Sequence, residues 1–307
     1  MKASVVIPSR GGASRLPLLL NSLAAQTHAD WEAIVVIDGD IDNSEAVVAG
    51  YAHLPVRCIV LPENRGRVTA LNTGFAAATG DVLIRADDDF ELSPGHVAAH
   101  VARHETGRVG VVGLPLNVAP DNVYMRVYGA WADESGRAGA RLTPAGERWR
   151  LWGGNVSCTR ADFDAVGGYD DRYRGYGWED LDFGYRLAQQ GVPIVLEEGA
   201  NVRHHMASVT TRIRARRAWD SGSARARFES FHGVGSSGVA LPPADSAWNR
   251  LVRGWSRVLT PATLTVSTWL VDAALPVLPR PVGRKLVALC VEAASAAGFT
   301  AGRTASP

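Results

Sequence analysis

The stretch Val82-Leu83-Ile84-Arg85-Ala86-Asp87-Asp88-Asp89 decides the fold: a short strand-like run delivers three carboxylates at its end. Three adjacent carboxylates repel one another, and taking them out of water without a cation is costly. A divalent metal shared with diphosphate oxygens removes that cost, because hard cations prefer oxygen ligands. Taken alone, the triplet also reads as a solvated acidic turn.

Working outward, the preceding residues alternate strand and helix signals. Ala3–Ile7, Ala33–Ile37 and Val56–Leu61 are buried-strand runs, and Val82–Ala86 is the fourth. Between them, Leu16, Leu19, Leu20 and Leu23 repeat at helical spacing, and residues 45–52 and 68–78 read as helices. Such alternation implies right-handed crossovers and a mostly parallel sheet covered on both faces. Ligands of these sheets bind beyond the carboxyl ends of the strands, where Asp38 and Asp87–Asp89 fall.

Composition bounds the function. The chain has 307 residues, 46% hydrophobic, enough for a large core and one large α/β domain or two small ones. Lys plus Arg number 32 against 31 Asp plus Glu, which excludes a globally basic nucleic-acid binder. Cys58, Cys158 and Cys290 form no CxxC pair, so they read as buried small apolar residues. The apolar run ending at Pro8 is too short for a signal-peptide core. No long uncharged apolar window is evident; residues 258–279 come nearest but hold Asp272 and three prolines. A cytoplasmic location follows, with at most peripheral contact at the inner face of a membrane.

Farther on, residues 109–114 read as a strand and 117–150 as loops with an insertion. Gly175-Tyr176-Gly177-Trp178-Glu179-Asp180 precedes a helix over 179–190. Acidic residues in a first helical turn have a dipole rationale of their own. The Gly-Tyr-Gly-Trp run does not share it; a turn with two aromatics suits a sugar platform beside a carboxylate that takes a proton. His204-His205 follows a short strand, and imidazole near carboxylates suits Mn²⁺-type ions.

These residues together resemble family 2 glycosyltransferases of the GT-A fold, in the branch with a DxD motif and a C-terminal ED (galactosyltransferase-like) motif. Ser4-Val5-Val6-Ile7-Pro8-Ser9-Arg10 resembles the first strand and turn, and Val35-Val36-Ile37-Asp38-Gly39 the second, with Ile37 in place of the first of two acids. Asn64-Arg65-Gly66 with Ala70, Asn72 and Gly74, then Asp87-x-Asp89, Gly153-Gly154-Asn155, Val166-Gly167-Gly168-Tyr169-Asp170 and Trp178-Glu179-Asp180 follow in family order. The resemblance spans roughly residues 3–206.

The resemblance implies inverting transfer from a UDP-sugar donor to a carbohydrate or other hydroxyl-bearing acceptor. It implies that Asp89, Asp87 and His204 hold Mn²⁺ or Mg²⁺, with His205 as the fallback. It makes Asp180 the general base, with Glu179 orienting hydroxyls. Pro8, Ser9, Arg10, Asp38, Arg67, Asp87 and Asp88 are expected around the nucleotide-sugar; Gly154, Asn155, Tyr176 and Trp178 around the acceptor. Trp178 departs from relatives, which often carry Gly there. An NDP-sugar nucleotidyltransferase is the competing enzyme class, but residues 8–16 offer only Gly11-Gly12 and two arginines and leave the ED pair unexplained. A non-catalytic carbohydrate-binding paralogue would lack a carboxylate at 87, 89 or 180, and none is missing.

The expected organisation is a catalytic domain over 1–230 (nucleotide half 1–115, acceptor half 116–230), a Gly/Ser/Pro-rich linker over 231–246, and a helical extension over 247–307. Arg203, Arg212, Arg214, Arg216, Arg217, Arg225 and Arg227, against the single acid Asp220, form either a solvated helix face or a lid over the diphosphate. In the extension, Trp248, Trp255 and Trp269 among arginines suit either an anionic membrane surface or a homodimer contact.

Overall fold

A computed structural model describes residues 1–205 and 209–305. The chain forms two compact units: Met1–Val118 with Arg137–Arg174 and Glu179–His205, and Ala119–Gly136 with Gly175–Trp178 and Met206–Pro307.

The first unit opens with β1 (Ala3–Ser9), α1 (Leu16–Ala24), β2 (Trp31–Asp38), α2 (Ser44–Ala49), β3 (Val56–Leu61), α3 (Arg67–Ala77) and β4 (Val82–Ala86). β5 (Phe90–Leu92), α4 (His96–Thr106), β6 (Gly110–Val112) and β7 (Pro115–Val118) follow. A π turn at Met125–Gly129 and the first half of α5 (Ala130–Leu142) belong to the second unit; from Arg137 the chain is again in the first, with a 3-10 turn at Ala145–Leu151, β8 (Asn155–Thr159) and α6 (Arg160–Val166). The unit ends with α7 (Glu179–Gln189), β9 (Ile194–Leu196) and β10 (Val202–His205).

Seven strands form one sheet in the order β3-β2-β1-β4-β8-β6-β9. Only β8 runs antiparallel to its neighbours. The expected mostly parallel sheet is therefore present, with a reversal at β1, whose neighbours β2 and β4 leave on opposite sides. The carboxyl ends of β1, β2 and β4 carry Ser9, Asp38 and Asp87 to that reversal, where such sheets bind ligands. One face is sealed by Val5, Ile7, Val35, Ile37 and Ile84 against Leu16, Leu19, Leu20 and Leu23 of α1 and Val97 and Val101 of α4. The other carries an aromatic stack, Phe75–Phe163–Phe183–Tyr169, with centroids 4.7, 5.5 and 4.6 Å apart along it.

A second sheet, β5-β10-β7, was not legible as such. β10 pairs antiparallel to β5, setting His204 opposite Phe90, and parallel to β7. Residues 117–150 are largely helical rather than looped. Gly136 and Gly139 are breakers in a sequence count, but both sit in α5 with open space where a side chain would go. The expected strand at 109–114 is shorter, as β6, with β7 starting at Pro115.

The second unit is built from α8 (Thr211–His232), α9 (Ala247–Ser256), α10 (Pro261–Ala274) and α11 (Arg280–Ala305). Thr210, Ser246 and Thr260 cap the first three through their side-chain oxygens, and Pro261 pre-sets the first turn of α10. α8 and α11 approach closely: a Cβ on Gly298 would lie 2.0 Å from the Trp219 carbonyl oxygen. This contact packs the arginine-rich α8 against α11 of the tail. α11 also revises the search for apolar spans. Arg280–Thr304 is long and apolar enough to cross a membrane by length and composition, yet half of that window is buried inside the protein.

Candidate active site

β4 ends with Arg85 completely buried. Its Nε donates to Asp87 Oδ1 at 3.0 Å, and its Nη1 donates to Asp180 Oδ1. The guanidinium also lies 5.9 Å from the Tyr169 ring centroid. Burial alone would pull Arg85 down, but the charges of Asp180 and Asp87 outweigh it and hold it fully cationic. The carboxylate after β4 and the carboxylate at the start of α7 thus share one buried cation, although 93 residues separate them in the chain.

Glu179 sits beside this pair. Its carboxylate is 2% exposed and accepts from Arg67 Nη1 at 3.4 Å, while Oε2 has no hydrogen-bond partner. Burial, then the charge of Asp180, pushes Glu179 up to about 7. Burial also raises Asp180, against the opposing pull of Arg85 and Arg67. Burial raises both neighbouring carboxyls, which favours taking and holding a proton. Gly154 has to be glycine here: a Cβ would lie 2.5 Å from Asp87 Oδ2.

The remaining acids divide by partner. Asp89 Oδ2 lies 3.2 Å from His204 Nε2, and Asp89 Oδ1 is buried without a hydrogen-bond partner. His204 Nδ1 lies 2.6 Å from Asn117 Oδ1. With its proton on Nδ1, donating to Asn117, the imidazole turns an Nε2 lone pair toward the carboxylate. A lone pair, a carboxylate and an orphaned oxygen fit a divalent cation. Among the described residues, no cluster of three or more His, Cys, Asp or Glu side chains makes a metal cage by itself. Asp87 is turned to Arg85, and His205 faces Glu91 Oε2 at 3.1 Å, away from Asp89.

Asp88 points inward, accepting from Ser9 Oγ at 2.6 Å and from Arg15 at 3.0 and 2.9 Å. It ties β1 to the acidic turn, so Ser9 and Asp88 meet each other. Asp38 accepts the Arg65 and Gly66 backbone N–H groups at 2.6 and 2.9 Å, fixing the entry to α3. Arg10 donates to the Asp38 carbonyl at 2.6 Å and lies with Pro8 along the same strand ends. Two of the residues expected near the acceptor are buried. Asn155 is 4% exposed and donates to the Ala200 carbonyl at 2.7 Å, an interior tie. Trp178 is 6% exposed, with its Nε1 donating to Ser221 Oγ at 3.2 Å and its ring against Phe228. At φ +69° its backbone is left-handed, and that packing holds it there. Tyr176 stays 42% exposed, with Arg217 over its ring.

Sequence reasoning missed Arg85 and Arg15. The signal for Arg85 was present: one charge inside a buried apolar strand, two residues before an acid.

The pattern described as Glycosyl transferase family 2 matches residues 4–166, more than half of the chain. The chain belongs to glycosyl transferase family 2. A second pattern, the N-terminal domain of galactosyltransferase, matches residues 136–207. Validoxylamine A glucosyltransferase from Streptomyces hygroscopicus subsp. jinggangensis (strain 5008) is 28% identical over 243 residues, covering 68% of this chain and 58% of that protein. An undecaprenyl-phosphate 4-deoxy-4-formamido-L-arabinose transferase from Pseudomonas fluorescens is 33% identical over 129 residues, 40% of this chain and 38% of that one. The chain spans less than two thirds of the length of these curated relatives. Among solved structures, the mannosyltransferase PcManGT from Pyrobaculum calidifontis, in complex with GDP-Man and Mn²⁺, superposes with a TM-score of 0.63 at 18% identity, covering 96% of this chain and 86% of that one. GalNAc-T7 with UDP, GalNAc and Mn²⁺ gives 0.56 at 17% identity, over 87% and 53%. The fold of this family 2 chain is GT-A.

Proposed function

We propose that this chain is an inverting, metal-dependent glycosyltransferase that moves a sugar from a UDP-sugar to a hydroxyl of a small natural-product, glycan or lipid-linked acceptor. The observation that carries the reading is the convergence of Asp87 and Asp180 on buried Arg85, at the strand ends where GT-A sheets bind nucleotides. Mn²⁺ or Mg²⁺ would be held by Asp89 and His204, with Asp87 directly or through water, and would offset the charge that grows on the departing diphosphate. Asp180 removes the proton from the attacking hydroxyl, and one in-line displacement inverts the anomeric centre. Arg85 fixes the orientation of that carboxylate, and Arg67 with Glu179 borders the sugar. Pro8, Arg10 and Asp38 line the nucleotide; Asp38 retains acceptor capacity for a base N–H beyond its two backbone bonds. Gly154 leaves room beside Asp87.

The test is a UDP-release screen across nucleotide sugars with Mn²⁺ and a panel of hydroxyl acceptors, with Asp180→Asn alongside. Acceptor-dependent release that falls by about a thousandfold in Asp180→Asn supports the reading. Full turnover by that variant removes Asp180 as the base.

A further inference from the structure

The helical unit carries an apolar outer face. Val252 of α9, Leu259 of the turn after it and Leu264 of α10 pack on Cys290, Ala293, Ala294 and Ala297 of α11. The other sides of α9 and α10 face water. On α9 and just beyond it, Leu251, Trp255 and Val258 recur at helical spacing and are 51%, 36% and 59% exposed. On α10, Val266, Trp269 and Leu270 are 59%, 64% and 54% exposed. The single charged residue of α10, Asp272, accepts from the Thr211 and Arg212 N–H groups at 3.0 and 3.4 Å, so the outer face of that helix carries no charge. Exposed apolar area on this scale marks an interaction surface.

The charges around it identify the occupant. Arg250, Arg257, Arg280 and Lys285 are all exposed, and Asp272 is the sole acid between residues 247 and 285. A two-fold contact with a second copy would set this basic rim against itself. Indole rings flanked by bases fit the boundary between acyl chains and anionic headgroups. We propose that this face docks on an anionic bilayer, with Trp269, Leu270 and Val266 entering the headgroup–acyl boundary and Arg250, Arg257 and Arg280 lying over lipid phosphates. The surface is independent of the reaction assigned to the first unit.

The test uses the whole 307-residue chain. Co-sedimentation with phosphatidylcholine vesicles, with and without phosphatidylglycerol, should show at least tenfold tighter binding to the anionic set. Trp269→Glu/Leu270→Glu should abolish binding to both. Arg250→Glu/Arg257→Glu should remove the anionic preference. A conservative variant guards against misfolding: quenching of tryptophan emission by brominated acyl chains should fall in Trp269→Phe. Equal vesicle binding by the wild type and Trp269→Glu/Leu270→Glu, or equal quenching in Trp269→Phe, overturns the proposal. So does light scattering that shows a dimer split by the same double variant in a protein that binds no vesicles, since the face would then belong to a second copy.

Discussion

Arg85 is the residue whose replacement discriminates most. It is fully buried and holds Asp87 and Asp180 together, so Arg85→Met strands two carboxylates with no cation between them. Removing one partner of a buried ion pair costs about 3–5 kcal/mol. Asp180 is only 15% exposed and Asp87 27%, so solvent screens little of that loss. Denaturation midpoints should drop accordingly. Catalysis should fall separately, because a carboxylate displaced by about 1 Å costs on the order of a hundredfold in kcat. Arg85→Lys separates the two effects. An ammonium restores the charge but not the fork that serves Asp87 and Asp180 from different nitrogens. It should recover most of the stability while kcat stays well below wild type and the donor KM changes little. Urea denaturation beside steady-state UDP release reads both. A folded Arg85→Met protein with kcat within twofold of wild type would refute the reasoning.

Three further outcomes follow from other groups. The rise of kcat/KM with pH should have its midpoint above the ordinary carboxyl range, because burial raises Asp180, the assigned base, and burial and then Asp180 push its neighbour Glu179 up to about 7; Glu179→Gln should move that limb to lower pH, and an unmoved limb contradicts the coupling. Glu32 is pushed up by burial but pulled further down, to about 2, by hydrogen bonds from Thr79 and Ser4 and by Arg57. Its contribution is full above pH ~4.5 and is lost as pH falls toward 2, so Glu32→Gln should cost about 2 kcal/mol at pH 7 by urea titration and almost nothing near pH 2. Burial holds His96 and His104 of α4 down at about 4, and His100 between them also well below its ordinary value. Folding stability should therefore be intact above pH ~6.5 and drain as pH falls toward 4, by about 2 kcal/mol per ring near pH 4.5; equal urea midpoints at pH 7 and pH 5 would contradict this.

What the sequence made legible follows physical pattern. β1, β2, β3 and β4 are apolar runs cut by helical periodicity, so the parallel half and the strand ends carrying Asp38 and Asp87 could be read directly. β5 has three residues and β8 carries Asn155, Ser157 and Thr159, so periodicity had too little to register. In the site, Asp89 and His204 were placed by spacing, and β10 does bring them together. Tertiary packing turns Trp178 and Asn155 inward, which chemical type alone does not reveal. The arginine segment after His204 misled in the same way. Arg225 of α8 is buried, stacked 3.9 Å from the Phe299 ring centroid, where a count of charges predicts solvent.

The central claim is that the acids after β4 and the imidazole from β10 gather around a cation that grips a nucleotide diphosphate. Anomalous scattering at the manganese edge, from crystals soaked with Mn²⁺ and UDP, tests it most directly. The account predicts a peak in contact with Asp89 and His204, bridged to the diphosphate oxygens. A peak elsewhere, or UDP bound with no ion against Asp89, would contradict it.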